Sequence, residues 1–174
     1  MRPGQHVSRF SSIGMQMNHN MIITIIGAGP GGYETAVAAA ANGVEVNIIS
    51  DGPVGGTCLN EGCIPTKSLC RDAEILEEVR RAGNFGVVVD CNPLFDMKKA
   101  MDRKNEIVSQ LRGGVEFLLK NKLIHLIHGR AELKDGHTVI VRLAEPADGQ
   151  ESIDLKSDYI IIATGSVSAS LPVP

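Results

Sequence analysis

The chain is 174 residues long, 43% hydrophobic and 21% charged, with a formal net charge of -3, two Tyr, four Phe and no Trp. That length allows one domain or a large part of one, with a core built from Val, Ile, Leu and Ala. Mild acidity without a long Lys/Arg block excludes nucleic acid and an anionic membrane as main partners. No apolar run approaches the ~18–20 residues of a membrane span, so a soluble protein with a small-molecule partner is expected.

Residues 1–20 carry Arg2, Arg9, several Ser and no Asp or Glu. They lack the apolar core of a secretory signal and read as an unstructured leader, or as the product of a start codon placed too far upstream, with weak transit-peptide character. A cytoplasmic location is expected, with the mitochondrial matrix as the alternative. Met21 to Ile26 is a short apolar, β-branched run of the kind found in a parallel strand covered on both faces. Gly27-Ala28-Gly29-Pro30-Gly31-Gly32 follows, then an Ala-rich helix from Tyr33 to Asn42 closed by Gly43, then a second strand from Val44 to Ile49. This is a dinucleotide-binding unit. Gly27 permits the tight turn, Gly29 lets the backbone approach a pyrophosphate, and Gly32 lets helix and strand pack closely, so that phosphates rest at the helix N-terminus beside Pro30.

An acidic residue that holds the ribose is expected at the end of the second strand. Ser50 stands there and Asp51 follows. Asp51 substitutes only if the strand ends at Ser50 and the chain turns; otherwise it is a turn residue before Gly52-Pro53.

Cys58 and Cys63 lie in Gly-Gly-Thr-Cys-Leu-Asn-Glu-Gly-Cys-Ile-Pro-Thr-Lys, residues 55–67. With Cys70 the nearest further thiol and no second knuckle of Cys or His close by, zinc is disfavoured. A close pair outside a secreted framework reads as a redox-active dithiol. Residues five apart lie on different faces of an ideal helix, so the pair can bridge only from a loop or a distorted first turn, and Pro65 supplies a cause for distortion. Thr66 to Arg81 reads as an amphipathic helix with Leu69, Ala73, Leu76 and Val79 on one side. Cys63 then sits at a helix N-terminus, where the dipole favours a thiolate, with Lys67 one turn on.

Asn84 to Val89 reads as a glycine-punctuated connection. From Met97 a helix runs through Met101, Val108, Leu111, Val115 and Leu118, with Lys104 interrupting the apolar stripe. Gly113-Gly114 within it, each about 1 kcal/mol less favourable than Ala, predicts tight packing there. Leu123 to His128 is a third sheet strand, and His125 and His128, three apart, fall on opposite faces and make no metal pair. Ala131 to Lys134, Asp135-Gly136 and Thr138 to Leu143 form a hairpin, followed by a strand at Ile153 to Lys156. Tyr159 to Ala163 reads as a last buried strand, and Thr164-Gly165-Ser166 as small residues suited to close ligand approach.

The cysteine segment, downstream of Gly-Ala-Gly-Pro-Gly-Gly-Tyr, resembles the class I pyridine nucleotide-disulfide oxidoreductases. It is most similar to their dihydrolipoamide dehydrogenase branch, in which Ile-Pro-Ser/Thr-Lys follows the second cysteine. The resemblance covers Met21 to Pro172 and implies an α/β, Rossmann-like FAD-binding domain over residues 21–174, with a parallel sheet, flanking helices and a small antiparallel three-stranded meander. It implies FAD against Gly27, Gly29, Pro30, Gly32, Gly56, Thr57 and Cys58, with Ser50 or Asp51 at the ribose. Ala131, within Gly129-Arg130-Ala131, lies by the adenine, and Thr164, Gly165 and Ser166 close over the flavin nucleotide. Ser50 departs from the family's usual Glu. The resemblance further implies Cys58 as the interchange thiol that meets substrate, Cys63 as the thiol stacked on the flavin, and Lys67 beside the flavin ring.

The implied reaction is oxidation of dihydrolipoamide through the Cys58–Cys63 disulfide and FAD, with NAD+ as co-substrate. A related glutathione- or mercuric-type flavin reductase, or a non-catalytic dinucleotide-binding module, is the alternative. Family members are longer, adding NAD and dimerisation domains and a His-Glu pair from the partner subunit. The chain is therefore expected to be the N-terminal portion of a homodimeric enzyme, in the setting of a 2-oxoacid dehydrogenase complex, and inactive alone.

Overall fold

Short β-branched runs alternate with helical stretches along the chain and fold as the sequence orders them: β1 (Ile22–Ile26), α1 (Pro30–Ala41), β2 (Glu45–Ser50), α2 (Gly56–Asn60), α3 (Cys63–Arg81), α4 (Met97–Leu118), β3 (Ile124–Leu133), β4 (Thr138–Ala147), β5 (Gln150–Lys156) and β6 (Tyr159–Ile162). This computed structural model describes residues 21–147 and 149–171, and the leader expected over residues 1–20 lies outside them. The strands form one sheet in the order β5-β4-β3-β2-β1-β6. β6, β1, β2 and the first half of β3 run parallel, while the second half of β3 pairs antiparallel with β4, and β4 with β5.

β3 passes from the parallel sheet into the meander at Gly129. A Cβ there would lie 2.3 Å from the Arg142 carbonyl oxygen, so only glycine lets β4 approach at the crossover. β1 and β2 bury apolar residues on both faces because both faces are covered there. On one face Ile25, Val46 and Ile48 pack with Ala36 and Ala40 of α1 and Val108, Val115 and Leu119 of the α4 segment. On the other, Ile49 packs with Val139 and Val141 of β4, so the sheet curls until the meander covers it. Ile25, Val46, Ile48 and Val141 are fully buried, each stabilising the fold by about 1.5–3 kcal/mol relative to exposure. The Thr24 and Ser157 hydroxyls hydrogen-bond in the interior, and the Ile22 N–H donates to Asp158 Oδ2 at 2.8 Å, tying β1 to the entrance of β6.

Several boundaries and faces differ from the expectations, each for a local reason. α1 starts at Pro30 because proline suits the first helical position, where its missing N–H has no partner to lose. α3 starts at Cys63, three residues earlier than expected, since Pro65 falls in the first turn and breaks no internal bond. Ala73 on α3 faces solvent, and the buried residue of that helix is Ser68. The packing expected at Gly113-Gly114 is absent: a Cβ at either would meet nothing within 4 Å. Leu118 points outward and Leu119 inward, and Leu111 and Met101 are exposed as well, so the inner stripe of α4 follows Ala100, Val108, Val115 and then Leu119. β6 is not a buried strand. It lies at the sheet edge with Tyr159 and Ile162 58% and 63% exposed.

Candidate active site

The glycine turn after β1 opens at the C-terminal ends of the parallel strands, where a cleft of ≈ 510 Å³ is bounded by Gly27–Gly31, Ser50–Pro53, Gly56–Cys58 and Ala163–Ser166. Three of these segments, at Gly27–Gly31, Gly56–Cys58 and Ala163–Ser166, come together because glycine lets them touch. A Cβ at Gly27 would lie 2.3 Å from the Ala163 carbonyl oxygen, one at Gly56 2.8 Å from the Gly29 Cα, and one at Gly32 1.8 Å from the Gly27 carbonyl oxygen. Gly27 and Gly56 also hold φ of 108° and 61°, values that L side chains rarely adopt. The N-cap of α1, Gly29, has no side-chain cap, so this helix end presents its backbone to the cleft. A second compartment of ≈ 290 Å³ continues past Gly27, Asp51 and Thr164 to Gly129, Arg130 and Ala131. The structure thus brings together nearly all the residues expected around a dinucleotide, in one elongated groove.

β2 ends at Ser50 and the chain turns, which is the condition under which Asp51 can reach the ligand. Ser50 is buried and its hydroxyl donates to the Gly52 carbonyl at 2.8 Å, fixing that turn. Asp51 is exposed and borders both compartments.

Cys58 sits in the five-residue α2 and Cys63 opens α3. Both are free thiols, and the neighbouring Cys63 side chain first, through hydrogen bonding, and burial next push the Cys58 thiol above its ordinary range. The Cys63 backbone N–H and the Lys67 ammonium pull the other way without prevailing. Cys58 is half-buried on the cleft wall, while Cys63 and Lys67 are exposed beyond it. Tyr33, whose hydroxyl donates to Glu34 at 3.3 Å, has its phenol pushed up by burial first and by Glu34 next.

Sequence reasoning passed over the polar contacts that hold these helices. Asn60 Nδ2 donates to the carbonyls of Gly56 at 2.9 Å and Val54 at 3.0 Å, and its Oδ1 accepts from Arg112 Nε at 2.9 Å and Nη2 at 2.7 Å. Arg103 Nη1 donates to Ser68 Oγ at 3.0 Å and Asp72 Oδ1 at 2.8 Å. The one available signal was Asn60 inside the cysteine segment; an arginine on a helix stripe carries no such mark. His125 contacts Glu45 at 3.1 Å, and His128 borders a separate cavity beside Arg112 and Glu116. Among the described residues no helix is long and apolar enough to cross a membrane.

A curled, mostly parallel sheet with a glycine-turn groove at its strand ends and, on the groove wall, one thiol of a close cysteine pair defines a Rossmann-like α/β oxidoreductase of the disulfide type. Residues 21–174 match the pyridine nucleotide-disulphide oxidoreductase family, and the chain belongs to it. It is 41% identical over 150 residues to a dihydrolipoyl dehydrogenase of Haloferax volcanii and 40% identical over 153 residues to one of Bacillus subtilis. Those alignments take in 86% and 87% of this chain but 31% and 32% of the relatives, so the chain spans about a third of their length. A solved copper(II) complex of an HOCl-induced flavoprotein disulfide reductase from Escherichia coli superposes with a TM-score of 0.69 at 30% identity, covering 91% of this chain and 31% of that one.

Proposed function

We propose that this chain is the flavin-binding and dithiol portion of a longer FAD-dependent oxidoreductase that converts dihydrolipoamide-type dithiols to disulfides, with NAD+ as the co-substrate. The observation that carries this reading is a thiol on the wall of a glycine-lined groove, with its proton affinity raised by a second thiol that opens the next helix. The groove fits a dinucleotide: it is elongated, has two compartments, and is lined by glycines at positions that a Cβ would fill. Gly29 and Gly31 would hold the pyrophosphate at the open end of α1, with Pro30 between them. Asp51 would accept hydrogen bonds from the ribose while Ser50 keeps the turn, and Ala131 would flank the adenine. Gly56 and Thr57 would line one side of the ligand and Thr164, Gly165 and Ser166 the other. Lys67 would stand near the reacting sulfurs, and Gly32 serves the ligand indirectly by seating α1.

FAD, when bound, supplies the two-electron acceptor that links thiol chemistry to hydride transfer. On the protein side the cycle begins with a Cys58–Cys63 disulfide. One substrate thiol, giving up its proton to solvent, attacks Cys58 Sγ as the thiolate, the S–S bond breaks, and Cys63 leaves as a thiolate. The second substrate sulfur then attacks the first, closing the substrate disulfide and releasing Cys58, which takes up a proton at Sγ. Two electrons have passed to the cysteine pair. The neighbouring Cys63 sulfur favours protonated Cys58, which suits Cys58 as the departing group that ends protonated. This assigns the substrate-facing role to Cys58 and the flavin-facing role to Cys63. The position of Cys58 on the groove wall favours the reverse order as a second reading.

Identification of the nucleotide released on denaturation tests the reading. FAD is expected, and NAD without FAD would overturn it. The two orders separate in single variants of the FAD-loaded protein, since the long-wavelength thiolate–flavin absorbance survives Cys58→Ser and not Cys63→Ser in the first, and the opposite in the second. Turnover of dihydrolipoamide against reduction of glutathione disulfide or a mercuric ion, measured in the enzyme that contains this chain, separates the substrate classes.

A further inference from the structure

The two cysteines belong to different helices with little of their own to fix their separation. α2 has five residues, far too few to be stable alone, and its N-cap offers no side-chain hydrogen bond. Gly55 and Gly56 precede Cys58, and Gly62 separates it from Cys63. A disulfide needs its two Cα atoms within a window of about 4.4–6.8 Å, so the position of α2 against α3 decides how readily the bond forms.

Both helices are held from the same side by α4. Arg112 forks onto Asn60 Oδ1, and Asn60 in turn binds the Val54 and Gly56 carbonyls, gripping the turn that carries Cys58 at both its ends. Nine residues earlier on α4, Arg103 reaches Ser68 and Asp72 of α3, the helix that Cys63 opens. Ser68 is buried and the Asp72 side chain is 11% exposed, while the Arg103 side chain is 46% exposed, so this second grip sits at the rim of the helix interface.

We propose that α4 fixes the separation of Cys58 and Cys63 and thereby sets the reduction potential of the pair, with Arg112 and Arg103 as positioning residues. The inference rests on the reading of the pair as a redox couple. Restraining the two thiols next to each other raises their effective concentration and favours the disulfide. Loosening α2 lowers that concentration and makes the pair more oxidising.

The test equilibrates the full chain with oxidised and reduced dithiothreitol. Two protein thiols and one cyclic dithiothreitol disulfide exchange for one protein disulfide and two dithiothreitol thiols, and alkylation with mass measurement counts the products. Arg112→Met should lower the protein disulfide-to-dithiol ratio about tenfold at a given buffer ratio, a potential about 30 mV less negative. Asn60→Ala should give a similar shift, and the double variant little more than either alone, because both remove one grip. A folded Arg112→Met with the wild-type ratio, or shifts that simply add, overturns the proposal. Should Arg112→Met not fold, Arg112→Lys, which keeps the charge but cannot fork, decides in its place: a ratio about threefold lower is expected and an unchanged one overturns. If the wild-type pair forms no intramolecular disulfide at any buffer ratio, the redox reading itself fails, an outcome distinct from all of these.

Discussion

Gly29 and Gly27 sit two residues apart in the same turn, and the structure predicts opposite consequences for adding one methyl group to each. Gly29 has φ -74° and ψ -176°, extended backbone open to any residue, and a Cβ there would find only the Gly56 Cα, at 3.7 Å. Ala at this position costs the fold nothing and restricts the unfolded chain, so stability should hold or rise by about 0.4–1 kcal/mol. The methyl would project into the groove, where a phosphate must approach the backbone. Losing one charge-assisted hydrogen bond there is worth about 1.5–3 kcal/mol, which weakens FAD binding by about 10- to 150-fold. Gly27 has φ 108°, and a Cβ there would lie 2.3 Å from the Ala163 carbonyl oxygen. Backbone strain and overpacking together should cost Gly27→Ala at least about 3 kcal/mol. Thermal melts of the ligand-free chains and equilibrium dialysis against FAD measure both quantities. If Gly29→Ala melts as low as Gly27→Ala, or binds FAD like the wild type, the reasoning about the groove is wrong.

The thiol pair gives a pH-dependent prediction. Cys63→Ala removes the hydrogen bond that raises the Cys58 thiol, so Cys58 should alkylate faster at neutral pH, whereas Lys67→Met removes a pull in the other direction and should slow it; slower alkylation in Cys63→Ala would contradict the assignment. Because the folded reduced chain holds this proton more tightly than the unfolded one, the associated stability is present below the unfolded thiol pKa and lost as pH rises through the folded value. The reduced wild type should accordingly lose melting temperature in the alkaline range more steeply than Cys58→Ala. Ser50→Ala, which deletes the bond to the Gly52 carbonyl, should cost about 0.5–1.5 kcal/mol of stability, while Asp51→Asn should leave melting nearly unchanged and weaken FAD binding about tenfold in dialysis. Gly113→Ala and Gly114→Ala, with nothing near the added methyl, should each stabilise α4 by about 1 kcal/mol, seen as a melting temperature about 2–4 °C higher; lower values would mean that something packs there after all.

What the sequence disclosed follows the range over which each physical constraint acts. The unit β1, glycine turn, α1, β2 was legible because its demands are steric and local: Gly27, Gly29 and Gly32 are needed by neighbours a few residues away or by a ligand at the turn. The Asp135-Gly136 hairpin was legible for the same reason. On α4 the apolar stripe was read through Met101, Leu111 and Leu118, which are exposed, whereas Ala100, Val108, Val115 and Leu119 are buried and the half-buried Arg112 reaches Asn60, so apolar spacing alone did not mark the packed face. The Arg112–Asn60 and Arg103–Asp72 contacts span 52 and 31 residues, and no periodicity reports on such pairs. β6 was read as buried from its composition, yet burial depends on what lies beside a strand, and its place at the sheet edge is a property of the whole topology. Which cysteine borders the groove likewise depends on how α2 sits against α1, something the five-residue spacing does not determine.

The position of β1 between β2 and β6 also dictates the order in which the sheet can close. β2 follows β1 after one helix and can join it early, but the contact from Ile22 to Asp158 at the entrance of β6 spans 136 residues. Closing a loop of that size costs about 4 kcal/mol of chain entropy, and long-range parallel pairing of this kind is slow. As the chain leaves the ribosome, β1 must wait with one edge unpaired until β6 arrives. The groove wall at Ala163–Ser166 arrives with β6, so the glycine turn, complete within the first few dozen residues of the fold, becomes a binding site only at the end of synthesis of this portion.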